Sequence, residues 1–261
     1  MPDSFYVPEG DGGFRATKLT RGPWDAGAQH AGPPAALLGR EVERLDDGDE
    51  FQVGRITFEI CRSVPIAPVR AQARIVRPGR RVQLVEATLS HGGDVLIRAA
   101  AWRIRTSAID LPDHPRPHDP PLPGPEEGEE VDFFPTGQPV GYHTAMEYRF
   151  VSGSFLGPGP ATVWMRPRQP LVAGEEVSPL QRVLVAADSG NGVSAALDWR
   201  RWLFINVDLT VQLERLPEGE WVCLDAATRP GPNGIGSADT LLHDERGRIG
   251  RALQTLLVSE R

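Results

Sequence analysis

The spacing of apolar side chains divides the chain into helical and extended regions. From residue 51 to about residue 105, apolar positions recur at every second residue, which is typical of half-buried strands. Turns rich in glycine and proline divide this region into four predicted strands, at 51–61, 69–76, 82–90 and 95–105.

A helix is predicted before these strands. Leu38, Val42 and Leu45 share one helical face, and Pro34 suits the first helical turn because it has no N–H to leave unpaired. Gly32 therefore lies at the helix N-terminus, where backbone donors are free. A short strand at 14–19 precedes the helix. One helix followed by long antiparallel strands predicts an α+β unit rather than an alternating βαβ fold.

The same layout returns in the second half of the chain. A capping Ser178 and Pro179 begin a second helix. Strands are predicted on both sides of it, at 144–150, 162–166, 205–213, 221–229, 238–243 and 248–258. The segments 87–91 and 97–102 also parallel 239–243 and 249–254 in sequence. This indicates an internal duplication in which Gln254 corresponds to Ala101.

A proline-rich segment separates the two copies. Its composition predicts a semi-extended linker at 108–140, between an N-terminal repeat at 1–107 and a C-terminal repeat at 141–261. His114 and His118 lie in this linker. No regular element fixes their geometry, so we do not interpret them as ligands of a metal ion.

Composition and charge exclude several classes of protein. The 261 residues carry a net charge of −7, whereas nucleic-acid binding needs a basic face. No apolar run approaches the ~18 to 20 residues that span a bilayer, and the first residues lack the basic and apolar regions of a signal peptide. A cytoplasmic protein without a membrane partner is therefore expected.

Cys61 and Cys223 lie in predicted strands without zinc or redox spacing, so both are interpreted as small buried side chains.

Gln254 is a polar residue on a predicted apolar face. Alternate positions of the last strand share that face, namely Gly250, Ala252, Gln254, Leu256 and Val258. A buried amide left without partners costs roughly 1 to 3 kcal/mol. Gln254 is therefore either a core residue bonded to nearby backbone or part of a functional site.

Asp188 is likewise a polar residue on a predicted apolar face. The second helix has an apolar stripe formed by Leu180, Val183, Leu184 and Ala187. Asp188 continues this stripe at the C-terminal end of the helix, where the dipole disfavours an anion by about 0.3 to 1 kcal/mol. Gly190 is expected to end the helix. An ordinary Asp at a fraying helix end is the alternative, but a carboxylate placed against both burial and dipole needs compensating donors, and such sites are often functional.

Several segments resemble the acyl-CoA thioesterase II family of double-hotdog proteins. They are 186–192 (AADSGNG), 204–211 (FINVDLTV) and 247–255 (GRIGRALQT). Segment 29–38 (QHAGPPAALL) is similar to the glycine-bearing start of the family's first hotdog helix. The likeness covers almost the whole chain except the linker, and it is more specific in the C-terminal half.

The resemblance implies two hotdog repeats, each a long helix wrapped by an antiparallel sheet. It implies an acyl-CoA thioesterase of lipid metabolism that needs no metal or cofactor. The family's catalytic Asp and Gln fall on Asp188 and Gln254. Its third residue, a Thr or Ser, falls on Asn206, which departs from the pattern but still offers a donor and an acceptor. Fused repeats suit a monomer, and the family's further sheet pairing suits a homodimer or a homotetramer.

The residues themselves fit this chemistry. Asp188 can accept a proton from a water that the amides of Gln254 and Asn206 orient toward a thioester carbonyl. Backbone N–H groups at Gly32 can face the developing oxyanion. The chain has no Gly-x-Ser-x-Gly elbow. The arginines of segment 199–202 could meet the phosphates of CoA, whereas segment 231–236 lacks the helix that follows a phosphate loop.

Two other functions are considered. Asn206 in place of Thr or Ser also fits a protein that binds acyl-CoA without turning it over. A hotdog enoyl-CoA hydratase needs an Asp and a His close together on the helix turn. No histidine lies near Asp188 in the sequence, which disfavours the hydratase interpretation.

Overall fold

An antiparallel sheet and the helices packed on it make up the fold. The computed structural model describes residues 3–45, 51–115, 120–131, 133 and 135–261. Within these residues one sheet of 13 strands runs through both halves of the chain. No helix of the described part is long and apolar enough to span a membrane.

The N-terminal half contains a hairpin, a helix and four long strands. These elements are β1 (Tyr6–Gly10), β2 (Gly13–Ala16), α1 (Gly32–Glu43), β3 (Phe51–Ile60), β4 (Pro68–Arg77), β5 (Val82–His91) and β6 (Asp94–Arg105). The four long strands agree with the predicted bounds within one residue at each end. The strand predicted at 14–19 is shorter, because a 3₁₀ helix at Lys18–Thr20 follows it, with Thr17 accepting a hydrogen bond from the Leu19 amide.

The C-terminal half repeats this order with additional short helices and an interrupted strand. Its elements are α2 (Tyr142–Ala145), β7 (Met146–Ser154), β8 (Gly157–Pro167), α3 (Pro179–Ala187), α4 (Gly190–Val193), β9 (Trp202–Asn206), β10 (Asp208–Leu213), β11 (Val222–Pro230), β12 (Ile235–Asp244) and β13 (Gly247–Glu260). The segment between the halves contains a 3₁₀ helix at Pro125–Glu127.

The strand order is the same when the sheet is followed inward from either edge. The order is β1-β2-β4-β5-β6-β3-β10-β13-β12-β11-β8-β7, with β9 also paired to β13. Each half therefore contributes a hairpin followed by four strands, as an internal duplication requires. The halves join where β3 pairs with β10, and this junction places the ends of β9 and β10 beside the N-terminal half.

The two main helices pack against each other. A Cβ on Gly32 would lie 2.3 Å from the Val185 carbonyl oxygen, and a Cβ on Gly39 would lie 2.3 Å from Leu184 Cδ1. Glycine at both positions of α1 therefore permits the close approach of α3. The implied long helix in each repeat is not confirmed, since α1 has 12 residues and α3 has nine.

The two cysteines differ in exposure. Cys223 is buried in β11, as predicted, but Cys61 is exposed. The prediction for Cys61 is wrong because β3 ends at Ile60, so Cys61 falls in the loop that follows. In the linker, His114 is exposed and its Nδ1 lies 2.9 Å from the Pro112 carbonyl oxygen. His118 lies outside the described residues.

Candidate active site

Asp188 follows the last residue of α3, and its side chain is buried. Ser178 caps the start of the helix by accepting a hydrogen bond from the Gln181 amide at 3.1 Å. The predicted apolar stripe of this helix is buried, and Asp188 is only 4% exposed. The predicted burial of the carboxylate is therefore confirmed.

The turn after Asp188 differs from its prediction. Gly190 was expected to end the helix, but α3 ends at Ala187 and Gly190 begins the short helix α4. A Cβ on Gly190 would lie 2.5 Å from Thr240 Oγ1 and 3.1 Å from Gln254 Oε1. Glycine is needed here because the turn lies directly against β12 and β13.

Two amide side chains from different strands donate to one oxygen of Asp188. Asn206 Nδ2 donates to Asp188 Oδ1 at 2.8 Å. Gln254 Nε2 lies 3.3 Å from the same oxygen and donates to the Asp188 backbone carbonyl at 3.0 Å. Gln254 is 3% exposed, and its Oε1 accepts a hydrogen bond from the Asn191 amide at 3.0 Å. The three residues singled out from the sequence are thus in direct contact.

A β-bulge places Asn206 toward Asp188. Strand β13 pairs Leu256 with Asn206 but Leu253 with Thr210, so one extra residue is accommodated between β9 and β10. Asp208 satisfies the Thr255 amide there with its carboxylate, at 2.6 Å. The bulge interrupts the strand that was predicted at 205–213, and the apolar side chain of Val207 is 44% exposed.

The orientation of the Asn206 amide follows from its neighbours. Its Nδ2 also donates to the Asp208 carbonyl oxygen at 3.1 Å. Both neighbours are acceptors, so the nitrogen must face them. Asn206 Oδ1 has no hydrogen-bond partner within the described residues. This oxygen is therefore free to accept a hydrogen bond from another molecule.

His30 is a site residue that sequence reasoning missed. Its Nδ1 lies 3.1 Å from Asp188 Oδ2, and its ring stacks on Tyr142 with centroids 3.8 Å apart and planes 6° apart. Burial lowers the pKa of His30 from its usual 6.5, and the Asp188 carboxylate opposes this change. The histidine that the sequence around Asp188 lacks is supplied by the N-terminal half.

The start of α1 offers few free donors. Pro33 and Pro34 have no N–H, and the Ala35 amide donates to the Ala31 carbonyl at 2.9 Å. The Gly32 amide lies 3.1 Å from His30 Nδ1. Gly32 is thus beside the candidate site, and its predicted part in stabilising an oxyanion stays a prediction.

The polar cluster opens onto a cavity of about 430 Å³. Its lining includes Asp188, Asn206 and His30, together with Trp24, Arg62 and Arg261. Arg62 is largely exposed and has a weak ion pair with Asp94 at 3.9 Å. Arg261 donates to the Trp199 carbonyl at 2.8 Å. The arginines at 200 and 201, considered for phosphate binding, are exposed and do not line this cavity.

Other reactive groups lie apart from this cluster. Burial raises the pKa of the Cys223 thiol far above its usual range, so this thiol stays protonated. In segment 231–236, residues 231–234 form the turn between β11 and β12, and Ile235 and Gly236 begin β12. Among the residues that the structure describes, no group of three or more His, Cys, Asp or Glu side chains is placed to hold a metal ion.

Two family models match the chain. The model of the acyl-CoA thioesterase N-terminal domain matches residues 20–104, and the model of the acyl-CoA thioesterase C-terminal domain matches residues 113–258. Among the curated proteins, none matches this chain.

Several solved structures share the fold over nearly their whole length. A protein of Thermobifida fusca YX, described as a thioesterase II, has a TM-score of 0.77 at 19% identity and covers 98% of this chain and 96% of its own. A hot dog fold protein of Alicyclobacillus acidocaldarius has a TM-score of 0.75 at 16% identity and covers 99% of this chain and 97% of its own. The acyl-CoA thioesterase II TesB2 of Mycobacterium marinum has a TM-score of 0.62 at 15% identity and covers 98% of this chain and 95% of its own. These likenesses confirm the predicted hotdog fold.

Proposed function

Because this chain belongs to the acyl-CoA thioesterase family and is a thioester hydrolase, we propose that it cleaves acyl-CoA with a water molecule activated by Asp188. The observation that carries this mechanism is the position of the Asp188 carboxylate. It is almost fully buried, it receives hydrogen bonds from Asn206 and Gln254, and it still lines the cavity of about 430 Å³.

The hydrogen bonds around Asp188 leave one acceptor site for water. A carboxylate has about four lone-pair sites. Asn206 and Gln254 use the two sites on Oδ1, and His30 faces Oδ2. The remaining site on Oδ2 can accept a water proton, and Asn206 Oδ1 can accept the other one. The amides therefore hold the carboxylate and its water in place, whereas the sequence predicted that both amides point at the water.

The reaction then needs no covalent acyl-enzyme. The water oxygen attacks the thioester carbonyl carbon while one of its protons moves to Asp188 Oδ2. Collapse of the tetrahedral intermediate breaks the carbon–sulfur bond, and the proton on Asp188 passes to the leaving thiolate. The products are a carboxylic acid and the CoA thiol.

His30 acts as a positioning residue for Asp188 in this proposal. Its lowered pKa keeps the ring neutral at neutral pH, so Nδ1 carries a proton only if Nε2 does not. In the structure Nδ1 accepts a hydrogen bond from the Gly32 amide, and it lies 3.1 Å from Asp188 Oδ2. Stacking on Tyr142 holds the ring in the required plane.

Gly32 is the proposed oxyanion donor. The Gly32 amide donates to His30 Nδ1, and it loses this acceptor when Nδ1 carries a proton. That N–H, at the positive end of the α1 dipole, is then available to the thioester carbonyl oxygen. The tautomer of His30 therefore links Asp188, which accepts the proton, to the Gly32 amide, which faces the oxyanion.

Arginines on the cavity wall suit the CoA portion of the substrate. Arg62 and Arg261 both line the cavity of about 430 Å³, and Arg62 has only a weak ion pair. Guanidinium groups bind phosphate with charge-assisted hydrogen bonds. We assign the phosphates of CoA to these two side chains.

A hydratase is the second candidate, favoured by one observation. The contact between His30 and Asp188 provides the Asp and His pair that such an enzyme needs. Family membership favours hydrolysis instead. Both reactions would use the same cavity, so they are distinguished only by the products.

A panel assay tests the function directly. Purified protein is mixed with acyl-CoAs of increasing length, and release of free thiol is recorded. We expect release from at least one acyl-CoA. Binding of acyl-CoA without thiol release would support a binding protein, and loss of the enoyl absorbance with enoyl-CoA, without thiol release, would support a hydratase.

A further inference from the structure

A second, smaller cavity lies beside the candidate active site. Its volume is about 40 Å³, and it shares Trp24, His30 and Asn191 with the larger cavity. The Asp188 cluster therefore lies between a wide cavity that suits CoA and a narrow one that suits the acyl group. This assignment rests on the proposed thioester hydrolysis.

The wall of the smaller cavity is aromatic. It is lined by Phe133, Tyr142, Tyr148 and Phe155. Phe155 packs against Phe133 with ring centroids 4.4 Å apart and against Tyr148 with centroids 5.0 Å apart. Phe133 comes from the segment that joins the two repeats, so that segment contributes directly to the cavity wall.

The two tyrosines of this cavity differ in their hydrogen bonds. The Tyr142 hydroxyl donates to the Val185 carbonyl at 2.6 Å and lies 3.0 Å from Ser189 Oγ. The Tyr148 hydroxyl is buried, yet it has no partner among the described residues. Leaving a buried hydroxyl unpaired is unfavourable, so an unpaired one beside a cavity suggests a ligand that completes it.

The chemistry and size of the cavity define the acyl group that fits. Burial raises the pKa of Tyr148 well above its usual range, so its hydroxyl remains a donor at all ordinary pH values. One water needs roughly 10 to 15 Å³ of such volume, so the cavity has space for about three groups of that size. A long alkyl chain does not fit this space.

We propose that this cavity binds a short acyl group bearing a hydroxyl or keto oxygen beyond the thioester carbonyl, and that the Tyr148 hydroxyl hydrogen-bonds that oxygen. The aromatic rings contact the carbon atoms of the group. Tyr148 is therefore a residue that determines substrate specificity rather than one that performs the hydrolysis.

The test compares 3-hydroxybutyryl-CoA with butyryl-CoA in the wild type and in Tyr148→Phe. We expect the wild type to prefer the hydroxylated substrate in kcat/KM by about tenfold or more, since a site built to bond a hydroxyl rejects the analogue that lacks it. Tyr148→Phe should remove this preference by lowering kcat/KM for 3-hydroxybutyryl-CoA toward the value for butyryl-CoA. Equal preference in the two proteins would overturn the proposal.

Two further measurements separate the explanations. Thermal melting should show no loss of stability in Tyr148→Phe, because the hydroxyl has no partner to lose. A lower Tm with unchanged substrate preference would show that the hydroxyl is structural.

If the wild type releases no thiol at all, the proposed hydrolysis fails, and thermal stabilisation by the two acyl-CoAs decides the binding preference. Greater stabilisation by 3-hydroxybutyryl-CoA that Tyr148→Phe abolishes would uphold it, and equal stabilisation would overturn it.

Discussion

His30 Nδ1 lies 3.1 Å from Asp188 Oδ2, although the two residues belong to different repeats. Asp188, Asn206 and Gln254 all come from the C-terminal half, so the N-terminal half completes the candidate site. The duplicated chain is therefore not two independent units with one site each. The first repeat supplies the histidine and the start of α1, and the second supplies the carboxylate and its amides.

Asn206 is expected to contribute to turnover through its bond to Asp188 Oδ1. Hydrogen bonds to charged groups contribute about 1.5 to 3 kcal/mol, so Asn206→Ala should lower kcat by roughly ten- to a hundredfold. Asn206→Thr replaces the amide with a hydroxyl that can also donate to Asp188, and it should retain more activity than the alanine variant. The steady-state rate with the best acyl-CoA measures both.

Asn233→Ala is the control for the Asn206 variants, because Asn233 lies in the exposed turn between β11 and β12. It should keep the wild-type rate. If Asn206→Ala also keeps that rate, the assignment of Asn206 to the site is wrong.

The pH dependence of kcat/KM should report His30. Because burial lowers the folded-state pKa of His30 from 6.5, the ring is neutral above that pH, and activity should decline as the pH falls below it. His30→Asn keeps a donor near the Nδ1 position but cannot titrate, so it should lose this part of the profile. Exposed His91 provides the control, since His91→Asn should leave the profile unchanged. Coinciding wild-type and His30→Asn profiles would contradict a role for the ring.

Gly32→Ala should destabilise the packing of α1 against α3. The new Cβ would lie 2.3 Å from the Val185 carbonyl oxygen, and this backbone atom cannot rotate away. Overpacking of this kind costs about 1 to 3 kcal/mol. Gly192→Ala is the matched control because its Cβ meets nothing within 4 Å; it should be neutral or slightly stabilising. Denaturant unfolding of both variants measures the difference, and equal stabilities would rule out the close contact.

Phe133→Ala should widen the smaller cavity. Phe133 forms one wall of it against Phe155, so its removal should shift the preferred acyl chain toward greater length. The kcat/KM values from acetyl-CoA to lauroyl-CoA measure this shift. Leu111→Ala, at an exposed apolar position of the linker, should leave the preference unchanged. An unchanged preference in Phe133→Ala would place the acyl group elsewhere.

Local patterns in the sequence predicted the elements that carry the site. Helical periodicity correctly placed Asp188 on a buried stripe, and strand alternation correctly placed Gln254 on a buried face. Both conclusions depend only on the repeat length of a helix or a strand. The four long strands of the first half were predicted for the same reason.

Other features depend on contacts between distant segments. His30 reaches Asp188 only because α1 and α3 pack together, and no local pattern records that packing. The bulge before Asp208 adds one residue to a strand whose alternation continues unbroken in the sequence, so the exposure of Val207 could not be predicted. The smaller cavity likewise combines residues from the linker, β7 and α4.

The most direct measurement of the central claim is kcat/KM for thiol release by Asp188→Asn. Asparagine has nearly the same shape but cannot accept a proton from water, so the rate should fall by about 10²- to 10⁴-fold. Asp239→Asn, on the opposite face beside Arg251, should retain the wild-type value. Thiol release at the wild-type rate by folded Asp188→Asn protein would contradict water activation by this carboxylate.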